Sequence, residues 1–342
     1  MSDTFEQLTS LVVHGRGLSA SQTATAVGAI MAGGATDDEI ERFLRAMAAK
    51  GESIEELVGG ASAMRQHVSR VECRHPDAID TCGTGGDGIS TFNVSTAAGI
   101  VAAAAGARVA KHGNRTNSRR SGSAEVLIAL GVQIDVPPSV VSRCLDELGI
   151  GFLFAAKLHP AMGRVAPIRR KIGTPTFFNL LGPLANPAAV RRQIIGVPRL
   201  HLVPLMADAL RRLGAVRAMV VNGDDGLCDF TITGPSRFAE LQDGQIRIRT
   251  MDPEAAGLAV QPIKLLRIDS PEESAEMIRA IFAGARGAAR DHTLLNAAAA
   301  LVVAGLSPDF AEGANRAAAA IDSGDAGRVL EGLVRLTNDS KS

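Results

Sequence analysis

The stretch Asp80-Thr-Cys-Gly-Thr-Gly-Gly-Asp-Gly-Ile-Ser-Thr-Phe-Asn-Val-Ser-Thr96 decides the fold. A short apolar run, Ala78–Cys82, enters it as a strand candidate. Four glycines (Gly83, Gly85, Gly86, Gly88) turn the chain, and an Ala-rich helical run, Val94–Ala105, leaves it near Asn93. Strand, glycine turn and helix in that order make one β–α step. The step recurs at once, with Ala107–Lys111 followed by Ser123–Leu130. Further strand candidates are Val132–Val136, Gly151–Phe154, Gln193–Val197 and Ala218–Asn222. This alternation predicts an α/β fold with a central, largely parallel sheet surrounded by helices. Phe238–Leu241 and Gln245–Arg249 flank Asp243–Gly244, the signature of a hairpin turn. Ser270–Pro271 with Glu273, and Ser307–Pro308, mark the starts of two late helices.

Upstream of His75–Pro76 the pattern is different. Three capping boxes follow one another, Ser19 with Gln22, Thr36 with Glu39, and Ser53 with Glu56. Apolar residues at helical spacing follow each box, for example Ile40, Phe43, Leu44 and Met47. A small all-helical unit therefore precedes the larger α/β part.

Composition narrows the function. The 342 residues carry 36 basic and 36 acidic side chains, a net charge of zero, which argues against a dedicated nucleic-acid binder. Eleven Phe with no Trp or Tyr leave almost no base-stacking surface. Cys73, Cys82, Cys144 and Cys228 form no CxxC pair, so a reducing, cytoplasmic setting is expected, with Cys73, Cys82 and Cys144 as small buried apolar groups. The longest apolar runs, such as Gly99–Gly106, are too short to cross a bilayer.

The glycine turn is built for an anion. Residues without Cβ let main-chain N–H groups converge on one oxygen cluster, and the helix behind adds its positive end. Each N–H bond to an anionic oxygen contributes roughly 1.5–3 kcal/mol. Asn93, Ser95 and Thr96 offer side-chain donors at the same place. Gly83, Gly85 and Gly88 also satisfy G-x-G-x-x-G, but a dinucleotide site needs an acidic residue about 20 positions on. The next strand ends instead in Lys111-His-Gly-Asn-Arg115, followed by Ser118, Arg119, Ser121 and Ser123. That is a second anion-binding loop, so the expected ligand carries phosphates at both ends of a small scaffold.

With these blocks in place, the chain resembles the anthranilate phosphoribosyltransferases along nearly its whole length. The resemblance rests on Gly83-Thr-Gly-Gly-Asp-Gly88 with Asn93-Val-Ser-Thr96, on Lys111-His-Gly-Asn-Arg115, and on His159-Pro-Ala-Met162. The run from Pro167-Ile-Arg-Arg170 through Phe178-Asn-Leu-Leu-Gly-Pro-Leu-Ala-Asn-Pro187 is its most specific block. It implies a helical domain (1–72, joined by a helical segment near 162–185) and an α/β domain (73–342), with the active site between them, usually in a homodimer. It also implies the reaction: phosphoribosyl diphosphate (PRPP) plus anthranilate gives N-(5-phosphoribosyl)anthranilate and diphosphate. Gly83, Gly86, Asp87, Thr91, Asn93, Val94, Ser95 and Thr96 would hold PRPP. With them would act Lys111, His112, Gly113, Asn114, Arg115, Thr116, Asn117, Ser118, Arg119 and Ser123. Gly83, Asn114 and Arg169 would meet anthranilate, with His159 and Met162 shaping that pocket, and Ser95 would help place one Mg²⁺.

Two positions depart from the family pattern. Where it has an Asp-Glu pair binding Mg²⁺, this chain has Cys228–Asp229 in Gly223-Asp-Asp-Gly-Leu-Cys-Asp-Phe-Thr231. A thiol is a poor ligand for Mg²⁺, which takes hard oxygens in octahedral array. Asp224 and Asp225 stand close in sequence as candidate substitutes. Where the family commonly has two serines, this chain has Ser118-Arg119, which points to altered phosphate contacts. Three readings stay open: the phosphoribosyltransferase itself, with a rebuilt or weaker metal site; the same fold acting on another aromatic acceptor; and a catalytically weak paralogue that binds nucleic acid or protein.

Overall fold

The structure, a computed structural model, describes residues 3–116 and 119–339. Four helices open the chain: α1 (Phe5–Val13), α2 (Ala20–Met31), α3 (Asp37–Lys50) and α4 (Ile54–Gln66). All four carry full capping boxes, including one at Thr4 and Gln7 that the sequence reading passes over. The α/β part follows as β1 (Ile79–Gly83), α5 (Val94–Ala104), β2 (Val109–Gly113), α6 (Ser123–Ala129), α7 (Pro138–Leu148) and β3 (Ile150–Phe154). Three helices then form one excursion, α8 (Ala155–Leu158), α9 (Met162–Ile172) and α10 (Phe177–Leu184). The sheet resumes with β4 (Arg192–Gly196), α11 (Leu202–Arg212), β5 (Arg217–Gly223), β6 (Ser236–Gln242) and β7 (Gln245–Met251). Helices α12 (Pro271–Phe282), α13 (Ala288–Ala304), α14 (Phe310–Asp322) and α15 (Asp325–Asn338) complete the chain.

The sheet has seven strands in the order β3-β2-β1-β4-β5-β6-β7. The first five are parallel; β6 and β7 run antiparallel as a hairpin. Asp243 (φ 53°) and Gly244 (φ 74°) make the tight turn between them, as their Asp-Gly sequence predicts. Strand order reverses between β1 and β4, where Gly83 lies in register with Gly196. Open α/β sheets bind ligands at such a point, beyond the carboxyl ends of the strands.

Period-2 alternation sends the strand side chains to two cores. Ile194, Met219, Val221 and Phe238 face α5, α13, α14 and α15. Ile195, Val197, Ala218, Val220, Ala239 and Leu241 pack with α11 and with the helices α1–α4, α9 and α10. The excursion α9–α10 is thus buried with the N-terminal helices, far away in sequence. Gly60 of α4 permits this, since a Cβ there would come within 2.8 Å of Leu181 and 2.9 Å of Phe177.

Two secondary-structure expectations fail. Val132–Val136 is not a strand; Val132, Ile134 and Val136 are buried, but under neighbouring helices, while β3 holds the sheet edge. The alternation there reports burial without pairing. Helix α14 starts after Asp309, which caps Glu312 at 2.9 Å, and not at Ser307–Pro308. Cys144 is fully buried as expected, but Cys73 and Cys82 are only half-buried. Among the described residues no helix is long and apolar enough to cross a membrane.

Close approach of α2 and α4 rests on Gly59, whose hypothetical Cβ would stand 2.1 Å from the Ala20 carbonyl oxygen. Gly59→Ala is expected to destabilise by at least about 2 kcal/mol through overpacking. Gly28→Ala, in α2 with nothing within 4 Å, is expected to be neutral or to stabilise by up to about 1 kcal/mol. Urea unfolding of both variants checks the pair; equal midpoints would contradict this packing.

Candidate active site

The carboxyl ends of β1, β2, β4 and β5 bring the two basic and glycine-rich loops together. At their centre Gly83 and Gly196 sit side by side, and the turn carrying Cys228 lies on them. A Cβ on Gly196 would fall 1.6 Å from the Cys228 carbonyl oxygen, and one on Gly83 would be 3.3 Å from the Gly196 oxygen. Only glycine fits at 196, a requirement the sequence reading missed. Its signal is a glycine ending a strand directly before Val197–Pro198.

The loop after β1 turns through left-handed conformations at Gly85 (φ 65°), Gly86 (φ 90°) and Gly88 (φ 69°). Thr84 N–H donates to the Gly196 oxygen at 2.9 Å, and Ile89 N–H to Asp87 Oδ1 at 3.3 Å. Between them, the amides of Gly85, Gly86, Asp87 and Gly88 donate to no protein acceptor among the described residues. Successive amides in such a bend form a concave anion cradle.

Lys111, in the middle of β2, stands beside β1 and is almost fully buried. Its Nζ donates to the Thr81 carbonyl and to Ser95 Oγ at 3.3 Å. Burial lowers its pKa, while the charge of Asp80 works the other way. Asp80 is itself fully buried, accepting from His112 N–H at 2.9 Å and from Asn186 Nδ2 at 2.8 Å. Desolvation raises its pKa to about 6. His112 and His159 meet Nε2 to Nε2 at 3.2 Å. Burial first, then each other's proximity for His112, lowers their pKa values to about 3 and about 4. Both imidazoles are therefore neutral near pH 7, one donating and one accepting.

The side-chain amide of Asn93 is engaged by protein partners. Its Oδ1 accepts from Ser121 Oγ at 2.6 Å and Ser274 Oγ at 2.8 Å, and its Nδ2 donates to the Ser121 oxygen at 3.2 Å. It pins the second loop to the head of α5 and to α12. The hydroxyls of Thr91 and Thr96 are buried with no hydrogen-bond partner among the described residues. The second loop closes on itself through Ser123 Oγ and Ala124 N–H, both donating to the Asn114 carbonyl oxygen. Gly113 is required there, because a Cβ would come within 2.3 Å of Ser123 Oγ. Asn114 and Arg115 are exposed and Thr116 is half-buried; Asn117 and Ser118 lie outside the described residues. Arg169, on α9, is half-buried and donates from Nη2 to Asn179 Oδ1 at 3.0 Å. Asn179 also caps α10 by accepting from Thr176 N–H at 2.9 Å, so one amide orients the guanidinium and starts the helix.

Asp87 and Arg119, 32 residues apart, form a fork-to-carboxylate pair, with Arg119 Nε at 2.6 Å from Oδ1 and Nη2 on Oδ2. Cys228 N–H adds a bond to Asp87 Oδ2 at 3.2 Å, and Cys228 Sγ faces the Gly85 oxygen at 3.8 Å. With Ile89 N–H, four donors occupy the four lone-pair sites of Asp87.

This donor set does not suit a protein-held Mg²⁺ at positions 228 and 229. Burial pushes the Cys228 thiol up to about 12, so it is protonated and uncharged. Asp229 keeps a carboxylate, raised to about 6 by desolvation, in a narrow crevice it shares with Ser95 and Cys82. Asp225 does not compensate, because it accepts from Leu227 N–H and from the hydroxyls of Thr231 and Thr233. Asp224 pairs with Arg237. Among the described residues no three His, Cys, Asp or Glu side chains cluster as a metal site. A separate concavity of about 740 Å³ between α1 and α3 is lined by none of the loop residues described above.

Comparison with known proteins agrees with this geometry. Residues 6–68 match the family described as glycosyl transferase family, helical bundle domain, and residues 75–327 match glycosyl transferase family, a/b domain. The anthranilate phosphoribosyltransferase of Parvibaculum lavamentivorans is 46% identical over 334 residues, covering 98% of each chain. The crystal structure of the Thermus thermophilus enzyme of that name superposes with a TM-score of 0.91 at 38% identity, over 97% of this chain and 99% of that one. The Saccharomyces cerevisiae enzyme in complex with PRPP and Mg gives a TM-score of 0.89 at 27% identity, over 98% of both chains. The chain belongs to the anthranilate phosphoribosyltransferase family.

Proposed function

We propose that this chain transfers the 5-phosphoribosyl group of PRPP to the amine of anthranilate, releasing diphosphate, as a pentosyltransferase of tryptophan biosynthesis. The observation that carries the reading is the run of amides Gly85–Gly88 that meet no acceptor among the described residues, with the buried Lys111 on the neighbouring strand and a helix N-terminus following the turn. Fixed before substrate arrives, such donors stabilise charge that develops on a departing diphosphate. Lys111 spends two of its three N–H groups on Thr81 and Ser95, which fixes the ammonium while leaving one donor.

The acceptor needs little chemical help. An aromatic amine is neutral and nucleophilic near pH 7, so alignment matters more than a strong base. Arg169, oriented by Asn179, supplies a planar fork for the anthranilate carboxylate. The neutral His112–His159 pair is a buried, uncharged contact between β2 and the residue that follows α8, unsuited to abstracting a proton as an anion-paired histidine would. Asn114, Arg115 and Ser123, with Thr116 and the adjoining Asn117 and Ser118, are read as the phosphate side of the second loop. One Mg²⁺ belongs to this reading, carried on the diphosphate of PRPP and approached by Ser95; bound there, it neutralises oxygen charge. A helical lobe of 1–72 with 162–185, a homodimer and a cytoplasmic location complete the proposal.

Arg169→Ala is expected to raise KM for anthranilate about tenfold or more, the worth of one charge-assisted fork, with KM for PRPP changed far less. Loss of anthranilate fluorescence in the presence of PRPP and Mg²⁺ measures both. Absence of turnover in the parent protein would refute the proposed reaction.

The histidine pair gives a pH test. In the unfolded chain each imidazole takes a proton below about pH 6.5, but in the fold only near 3 to 4. Their contribution to stability is therefore complete above about pH 6.5 and is lost as pH falls toward 4. His159→Asn is expected to make that acid loss shallower in urea titrations. Imidazole Cε1–H NMR signals of His112 and His159 should hold still from neutral pH down to pH 5.5, about a unit below the reference value; movement there would disprove the neutral pair.

A further inference from the structure

The site holds a cation that the proposed reaction has not yet used. Arg119 comes from the second loop and reaches across to Asp87 in the first, the carboxylate fully buried and the guanidinium nearly so, 15% exposed. Two of its five N–H groups are spent on Asp87, which leaves three. Its Nη2 shares Asp87 Oδ2 with the Cys228 N–H, which sets the guanidinium beside the turn that carries positions 228 and 229. That is the corner where the family pattern places a metal-binding pair.

Asp87 carries Arg119 directly, and the Asp80 carboxylate and the Lys111 ammonium lie buried on the neighbouring strands. Relative to the family pattern, cysteine for aspartate at 228 removes one negative charge, and arginine for serine at 119 adds one positive charge. Together these raise the local charge by two, which is the charge of one Mg²⁺. Asp87, its lone pairs filled, has no site left for a metal, and the thiol is a poor ligand for one.

We propose that Arg119 is a built-in cation that takes the place of a divalent ion at the 228–229 corner, so that this chain grips the diphosphate of PRPP with one bound divalent ion. The inference rests on the phosphoribosyl-transfer reading and deepens it. Arg119 acts as a positioning and binding residue. Its fork holds Asp87 and so the glycine turn, and its remaining N–H groups are directed to an anion and not to a second ligand shell.

The test counts ions and does not rely on turnover. PRPP affinity is measured by calorimetry across a range of free Mg²⁺, and Mn²⁺ bound per PRPP is counted by electron paramagnetic resonance. The parent protein is expected to bind one Mn²⁺ per PRPP. Arg119→Ser should lose about tenfold or more in PRPP affinity at low Mg²⁺ and recover much of it at high Mg²⁺. Arg119→Lys keeps the charge without the fork and should keep the single-ion count. Cys228→Asp alone should still bind one ion, because the guanidinium occupies the corner, whereas Arg119→Ser with Cys228→Asp should bind two. Two ions in the parent protein, two in Cys228→Asp alone, or an equal loss for Arg119→Ser at every Mg²⁺ concentration with no change in count would overturn the proposal and leave Arg119 as a strut. If Arg119→Ser does not fold, the lysine and Cys228→Asp variants carry the same decision. No PRPP binding by the parent protein at any Mg²⁺ concentration would instead overturn the phosphoribosyl reading, and this inference with it.

Discussion

The site depends on one close approach, the Cys228 carbonyl resting on the bare α-carbon of Gly196. No side chain larger than hydrogen fits between them. Because the two backbones touch, the turn after β5 reaches over β4 to the end of β1. Cys228 N–H and Sγ then hold Asp87 and the Gly85 carbonyl. The glycine turn is fixed from that side, and its amides meet no acceptor among the described residues. Had the turn stood farther off, those amides would have been free to find partners inside the fold.

Charge is buried around this contact in a way that stability alone does not explain. Replacing a buried ion pair by apolar groups is often neutral or favourable, while stranding one partner is costly. Here Asp80 and Lys111 are both nearly inaccessible, and Asp87 is fully so. Each is held by further donors: Asp80 by His112 N–H and Asn186, Asp87 by Arg119, Cys228 and Ile89. These networks keep cations in place in a poorly solvated cleft, where an incoming polyanion gains most from them. The neutral histidines beside Lys111 belong to the same logic, since a charged imidazole there would repel it.

Much of this was legible in the chain. The β–α alternation, the hairpin at Asp243–Gly244 and the three capping boxes follow from local rules, since a cap, a turn or a period-2 face needs only neighbouring residues. The glycine turn and the basic loop were readable for the same reason, as each is a contiguous block. The strand expected at Val132–Val136 failed because alternation reports which side chains are buried, not whether a neighbouring strand is there to pair.

The amino-acid sequence by itself determined the layers of the fold, the anion character of two loops and the family to which the chain belongs. It also exposed the odd residues, Arg119 and Cys228, but not their connection. That connection was decided by tertiary structure alone: β4 inserted beside β1, which placed Gly196 under Cys228, and two loops folded toward each other, which set Arg119 against Asp87. Pairings across 32 and 141 residues have no local signature, because they arise from strand order and close packing, not from spacing along the chain.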